Sequence, residues 1–401
     1  MKQDPASRLQ DYLVFGEYGG VNPSITDSAT FTFMAPETMQ ALFETEIAGC
    51  YLYSRHLNPM NQELSEALAL MENSEAAQVM GSGMGAISSV IMEICSSGDE
   101  IISSRTIYGG TYAFMKNFLP KYNVNTKFVD ITDLEKIKAA ITDKTKIIYC
   151  ETISNPLLEI ADLRELRKIA DANGIQLVVD NTFSPMIISP IALGAHIVVY
   201  SLTKFINGMN DCLGGAVCAS KEFIASLKSV HDGAAMLLGP VLDSLRASSI
   251  LKNMHTLHVR MNRHSDNAMY VAKKLEENGV KVFYPGLTSH PQHELITSML
   301  NEGYGYSGMI TIDAQDENKA NKLMMLMQEN KIGYFAVSLG FYKTLFSSPG
   351  SSTSSEIPKE EQAEMGMTSG LIRFSVGLDN DIEETFERIK KCMIEVNLID
   401  E

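Results

Sequence analysis

From about Glu63 the chain alternates two spacings of apolar residues. ELSEALALMEN has helical spacing, and AAQVMGSGMGAISSVIMEICSSGDEIISS then reads as a strand, a glycine turn, a helix and a second strand, one βαβ-like unit. DLEKIKAAI and LRELRKIADANG read as helices, and KIIYCET, IQLVVDNT and HIVVYSLTK as buried strands. Such alternation predicts an α/β fold with a mainly parallel sheet covered by helices on both faces. Ligands of such sheets collect outside the carboxyl ends of the strands, so chemistry is sought just after each apolar run.

Beyond this region the pattern changes. Leu245 to Arg263 turns helical, and VKVFYPG, GMITIDA and LIRFSVG resemble strands between helices. This predicts a smaller C-terminal α+β domain at 255–401, after a large domain at 58–254. Residues 1–57 hold Gly19, Gly20, Pro23 and Pro36 among short apolar runs, and read as an extended arm contacting a neighbouring subunit. The serine-rich stretch SSPGSSTSSEIP at 347–358 is short and flanked by strand signals, so it reads as a loop inside the second domain. Met324, Met325 and Met327 read as filler on a helix. No internal repeat is visible.

With 401 residues, 45% of them hydrophobic, the chain can fill a large core and a smaller one. Its net charge of −16 argues against a nucleic-acid or anionic-membrane partner and leaves small molecules. The six cysteines show no C-x-x-C pair and no metal-ligand spacing, which suits reduced thiols in a cytoplasm and no metal site. MKQDPASRLQDYLVFGEYGG lacks the apolar core of a signal peptide, and no stretch has membrane-spanning length, so a cytoplasmic protein is expected.

Three strand ends carry candidate chemistry. Gly81-Ser82-Gly83-Met84-Gly85 lies between strand and helix, where free amides and the helix dipole favour a phosphate, although a tight packing turn would look the same. A dinucleotide turn fits less well, because its third glycine would lie one place later and its acid at the end of the next strand. Asp180 ends IQLVVD, as either a ligand group or a cap for the following segment. Lys204 follows Ser201-Leu202-Thr203 at another strand end, as either a solvated residue or a lysine of lowered pKa able to bond an aldehyde. Together, phosphate turn, acid and lysine are the parts that pyridoxal 5′-phosphate needs.

The ordered blocks YSRHLNP, GSGMGAISS, TIYGGTY, ETISNP, VVDNTF, SLTKFINGMND and LIRFSVGL resemble the Cys/Met-metabolism family of fold-type I pyridoxal-phosphate enzymes over nearly the whole chain. The resemblance implies that Lys204 carries the cofactor, Asp180 partners the pyridine nitrogen, and Gly83, Met84, Ser201 and Thr203 contact the phosphate. It further implies that Tyr108 stacks on the ring and transfers protons, and that Asn155 touches the side of the ring hydroxyl. Tyr53 and Arg55 would complete the phosphate site of a neighbouring subunit, making the active unit at least a dimer and commonly a homotetramer, a dimer of active dimers. Arg373, assisted by Ser338, would clamp the carboxylate of a sulfur amino acid.

Several segments, among them GYGYSGM and SLGFYKTLFSSPGSSTSSE, look nearest to the plant-type branch of the family's methionine γ-lyases. Val337 stands where look-alike cystathionine γ-lyases usually have glutamate, which favours an apolar substrate end. The chain also departs from many bacterial relatives, with Gly110 in place of a cysteine and His231 near where they have a lysine. Gly208-Met209 replaces a usual glycine-histidine, and Met60 a usual threonine after Asn-Pro. Elimination from methionine is therefore expected, with cystathionine or homocysteine cleavage and γ-replacement of the cystathionine-synthase or sulfhydrylase type as alternatives on the same cofactor.

Overall fold

The structure is a computed structural model that describes residues 4–44, 47–352 and 357–400. Seven strands build the large sheet: β1 (Ala76–Met80), β2 (Glu100–Ser104), β3 (Asn125–Val129), β4 (Thr145–Glu151), β5 (Gln176–Asp180), β6 (Ile197–Ser201) and β7 (Gly215–Ala219). Their order is β1-β7-β6-β5-β4-β2-β3. β7 runs antiparallel to both its neighbours, and every other adjacent pair is parallel.

Two details differ from the pattern-based expectation. β1 and β2 flank one helix in sequence but are separated by β7, β6, β5 and β4 in the sheet, so they do not form an adjacent βαβ pair. β3 and β7 were not anticipated. β3, NTKFV, is a half-polar edge strand, and β7, GAVCA, is made of small residues with little periodic signal.

The middle of the sheet is buried on both faces because β5, β6 and β7 carry apolar residues in nearly unbroken runs. In β5, Leu177 and Val179 enter one core while Val178 enters the other, as the two-residue period of a strand requires. The covering helices start and stop on local signals. The helix Leu163–Asn173 is capped by Asp162, whose side chain accepts from Glu165 N, and ends at Gly174 with φ 66°.

The smaller sheet holds β8 (Lys281–Phe283), β9 (Met309–Asp313), β10 (Gly333–Phe335), β11 (Thr344–Ser347) and β12 (Leu371–Ser375), in the order β10-β11-β12-β9-β8. Only β10 and β11 pair in parallel. The 21-residue helix Leu257–Glu277 joins the two regions. Its Leu257 and Met261 pack in the core of the large sheet, and its Ala268, Val271 and Leu275 in that of the small one. At about 1.5 Å per residue it is long enough to fix the two sheets relative to each other.

The opening segment is more structured than an extended arm. Helix Pro5–Gln10 docks on the chain's own helix Pro59–Glu72, where Arg8 donates to the carbonyls of Leu70 and Met71 at 2.6 and 2.7 Å. A second helix covers Pro36–Glu44. Between them Leu13, Phe15, Tyr18 and Val21 stand in solvent. The serine-rich stretch begins within β11, and its residues 353–356 lie outside the described residues. After those four residues Ile357, still in the stretch, and Met365 and Met367 beyond it pack into the core of the large sheet, so this segment spans both sheets.

Candidate functional site

The carboxyl ends of β4, β5 and β6 stand side by side and deliver Glu151, Asp180 and Ser201 to one edge of the sheet. Glu151 and Asp180 are direct register partners. Lys204 follows three residues after β6, and Arg373 reaches the same place from β12 of the small sheet. Between them lies a cavity of about 370 Å3 that is lined by Gly83, Met84, Tyr108, Asn155, Asp180, Ser201, Thr203, Lys204 and Arg373.

The phosphate-type turn is built by close approach. Ser82 caps the helix Gly83–Ile94 by accepting from Gly85 N at 3.0 Å, so the amides of Gly83 and Met84 in the first turn have no partner within the helix. A Cβ on Gly83 would lie 2.8 Å from the Cβ of Ser201, and one on Gly215 would lie 2.0 Å from the Ser82 carbonyl oxygen. The helix start therefore abuts the ends of β6 and β7 with no side chain between them. Its amides and dipole face the cavity.

The lysine sits on a braced turn. Gly208 N donates to Lys204 O at 2.8 Å, and buried Arg260 donates to the carbonyls of Phe205 and Ile206. Gly340, with φ 75°, lies so close that a Cβ there would be 2.4 Å from Phe205 N. Lys204 Nζ donates to Ser338 Oγ at 3.2 Å. Burial, together with the charge of Arg373, lowers its pKa to about 8.

Two carboxyls share the buried edge. Asp180 accepts from Thr182 N at 2.9 Å and from the Tyr149 hydroxyl at 3.4 Å. Glu151 accepts from Tyr108 N at 2.7 Å and from Asn155 N at 2.8 Å. Burial raises both, and the charge of Asp180 raises Glu151 further. Asn155 Oδ1 accepts from Arg373 Nη1 at 3.0 Å, and Ser338 O from Arg373 Nη2 at 3.4 Å. Tyr108 is half-exposed at the cavity, and a Cβ on Gly110 would lie 2.6 Å from its ring, so only glycine at 110 leaves that ring in place.

Residues 13–393 match the family model described as Cys/Met metabolism PLP-dependent enzyme. The chain belongs to this family. It is 44% identical to a methionine gamma-lyase of Arabidopsis thaliana over 98% of this chain and 90% of that protein. A cystathionine gamma-lyase of Bacillus subtilis is 38% identical over 86% of this chain and 88% of its own. Among solved structures, a Campylobacter jejuni protein described as an O-acetylhomoserine (thiol)-lyase superposes with a TM-score of 0.90 at 26% identity, covering 98% of this chain and 100% of that one. That protein carries a pyridoxyl-lysine phosphate.

The residues present fit the cofactor of the Cys/Met metabolism enzymes. The cavity offers amides at a helix start with the hydroxyl-bearing Ser201 and Thr203, a buried carboxyl, and a lysine whose amine is uncharged above a pH of about 8. Ten of the twelve residues singled out in the sequence gather at this cavity, nine lining it and Ser338 reaching it through Lys204. Thr203 also ties the turn, for its Oγ1 accepts from Gly214 N at 3.1 Å. Asn155, expected beside the ring hydroxyl, is engaged with Arg373. Tyr53 and Arg55 do not line the cavity of their own chain; Arg55 donates to Met236 O at 2.7 Å, with its guanidinium 5.8 Å from the Tyr53 ring centroid.

Sequence reasoning missed two residues of this family member's site. Glu151 closes KIIYCE just as Asp180 closes IQLVVD, so the same rule, an ionisable residue leaving a buried strand, would have found it. Thr182, whose Oγ1 accepts from Ser201 N at 2.9 Å, gives no such signal. Among the described residues no cluster of His, Cys, Asp or Glu could hold a metal ion, and no helix is long and apolar enough to cross a membrane.

Proposed function

We propose that this pyridoxal-phosphate enzyme cleaves L-methionine by γ-elimination to methanethiol, 2-oxobutanoate and ammonia. The observation that carries this reading is the charge pattern of the cavity. Lys204 and Arg373 are its cations, and both carboxyls already accept hydrogen bonds, from Thr182 and Tyr149 at Asp180 and from Tyr108 and Asn155 at Glu151. Val337, Leu213 and Leu339 add apolar surface to the wall. Among the described lining residues none offers an unengaged carboxylate to the second amino group of cystathionine, whereas a thioether needs none. The methionine gamma-lyase likeness points the same way.

In this reading the amides of Gly83 and Met84 and the hydroxyls of Ser201 and Thr203 would hold the phosphate. Asp180 would partner the pyridine nitrogen, Tyr108 and Asn155 would hold the ring, and Lys204 would be the point of attachment. When bound, pyridoxal 5′-phosphate supplies the sink for electrons left at the substrate α-carbon. Arg373, steadied by Asn155 and the Ser338 carbonyl, grips the α-carboxylate. Lys204, uncharged above a pH of about 8, removes the α-proton and then moves a proton at the β-carbon. Tyr108 donates a proton to the departing sulfur.

We also assign residues 1–57 as an arm reaching a neighbouring subunit, 58–254 as the cofactor-binding domain and 255–401 as the C-terminal domain. The solvent-facing Leu13, Phe15, Tyr18 and Val21 support a covering partner. Tyr53 and Arg55 lie away from their own cavity, which supports their serving a second copy in a homotetramer of active dimers. The six free cysteines suit a reducing cytoplasm.

The test is to incubate the purified protein separately with methionine, homocysteine, cystathionine and cysteine, with and without added thiol, and to measure 2-oxo acid and volatile thiol. Preferential 2-oxobutanoate and methanethiol from methionine supports the proposal. Preference for cystathionine, which the Bacillus subtilis likeness keeps as second reading, or thiol-dependent replacement, overturns it.

A further inference from the structure

Lys204 must offer a lone pair twice, once to capture the cofactor and once to take a proton from substrate, and its hydrogen-bond surroundings decide whether that lone pair is free. Its Nζ donates to Ser338 Oγ at 3.2 Å, and the Ser338 hydroxyl donates in turn to Asn210 Oδ1 at 2.9 Å. A serine hydroxyl has a single proton. With that proton committed to Asn210, Oγ meets Lys204 only as an acceptor. The amine then acts as donor in this contact, and its own lone pair stays available.

We infer that Asn210 is a positioning residue that fixes the direction of the Lys204–Ser338 hydrogen bond and so keeps the lysine amine reactive. Its placement suits the task. Asn210 adopts φ 53°, a left-handed conformation that asparagine tolerates better than most residues. The turn around it is pinned, since Asn207 Nδ2 donates to Asp211 Oδ1 at 2.9 Å and Asn253 Nδ2 to Asn207 Oδ1 at 2.9 Å. Without Asn210 the Ser338 proton is released to point at Nζ and occupy its lone pair. The inference rests on the reading of Lys204 as the cofactor lysine.

The experiment compares Asn210→Ala, Asn210→Asp, Ser338→Ala, the Asn210→Ala/Ser338→Ala double variant and Lys204→Ala with the wild type, all as full chains. Two quantities are read: kcat and KM for methionine, and the rate at which cofactor-free chain captures added pyridoxal 5′-phosphate, followed by visible absorbance. Asn210→Ala should lower kcat and slow capture by about tenfold each, the size of one hydrogen bond, with KM within about twofold. Asn210→Asp, which can only accept, should stay within about threefold of wild type when read at about pH 10, where the amine is uncharged in spite of the added carboxylate. In the Ser338→Ala background, adding Asn210→Ala should change neither quantity. An equal Asn210→Ala effect in both backgrounds, an effect on KM alone, or Asn210→Asp as impaired as Asn210→Ala overturns the role of Asn210. If instead Lys204→Ala captures cofactor like wild type, the assignment of Lys204 falls and this inference with it. If methionine is not turned over, the capture rates still decide the role of Asn210.

Discussion

The two walls of the cavity are built on different plans. One wall is the edge of the large sheet, where Glu151, Asp180 and Ser201 end three adjacent strands and the helix start at Gly83 abuts them. Its geometry follows from strand register and helix capping, and both its carboxyls accept from backbone amides. The other wall is built from loops and the small sheet: Arg373 on β12, Val337 and Ser338 beyond β10, and Asn210 in the loop between β6 and β7, which meets Ser338 across the gap. There the partners are side chains and loop carbonyls. The first plan suits a group that every family member holds alike, and the second suits a substrate that differs among members.

Substitutions on the sheet wall should therefore remove activity, while those on the loop wall should redirect or weaken it. The largest effect is expected for Lys204→Ala, with loss of at least about a thousandfold in kcat/KM and of the visible absorption of lysine-attached cofactor. Wild-type-like turnover in that variant would sink the assignment. Next comes Glu151→Gln. The carboxylate accepts from two amides, and a carboxamide can accept with only one end, leaving a buried N–H unmet at about 1–3 kcal/mol. Thermal unfolding should show a loss of that size, and kcat/KM should fall about 10- to 100-fold as the Tyr108 and Asn155 segments shift. An unchanged melting curve would mean that Glu151 does not hold those segments.

On the loop wall, Arg373→Lys keeps the charge and loses the fork that spans Asn155 Oδ1 and Ser338 O. KM for methionine should rise about tenfold with a smaller change in kcat, because the guanidinium binds the carboxylate alike before and during reaction. A fall in kcat at constant KM would instead place Arg373 in the chemistry. A pH measurement examines Lys204 from both walls at once. Burial and Arg373 depress its pKa to about 8, and only the uncharged amine captures cofactor. Capture should accelerate about tenfold between pH 7 and 9 and then level off. A rise that continues through pH 10 would show a lysine free of both influences.

The same contrast explains what could be read from the chain. Asp180 and Lys204, each open to an ordinary reading as a cap or a solvated strand end, were legible because acid, lysine and glycine turn all follow apolar runs such as IQLVV or HIVVY, where such sheets gather ligands. Gly83 was legible because a glycine turn between strand and helix has a known electrostatic use. Strand order was not legible: β1 lies across the sheet from β2 because β7 pairs with it, and GAVCA carries no periodic signal of that pairing. Nor was the Asn210–Ser338 contact, which spans 128 positions and depends on how two loops meet. The engagement of Asn155 by Arg373 came from a residue 218 positions away, and no local pattern predicts it.

The smallest effect, and the sharpest test of the loop wall, is expected at Val337. It lines the cavity beside Ser338 and is mostly exposed, so a longer side chain there can extend toward solvent without repacking the core. Val337→Glu should leave cofactor capture within about twofold, since the sheet wall is untouched. The carboxylate gives the second ammonium of cystathionine a partner and gives the methionine thioether none. At a site this open to water, such a pair is worth up to about 1 kcal/mol, a factor of about five. The ratio of kcat/KM for cystathionine to that for methionine should rise by about that factor, measured by 2-oxobutanoate release from each. An equal loss on both substrates would mean that the wall at 337 does not read the distal end of the substrate. Selection between sulfur amino acids would then have to come from Leu213 and Leu339, the other apolar contacts on that side.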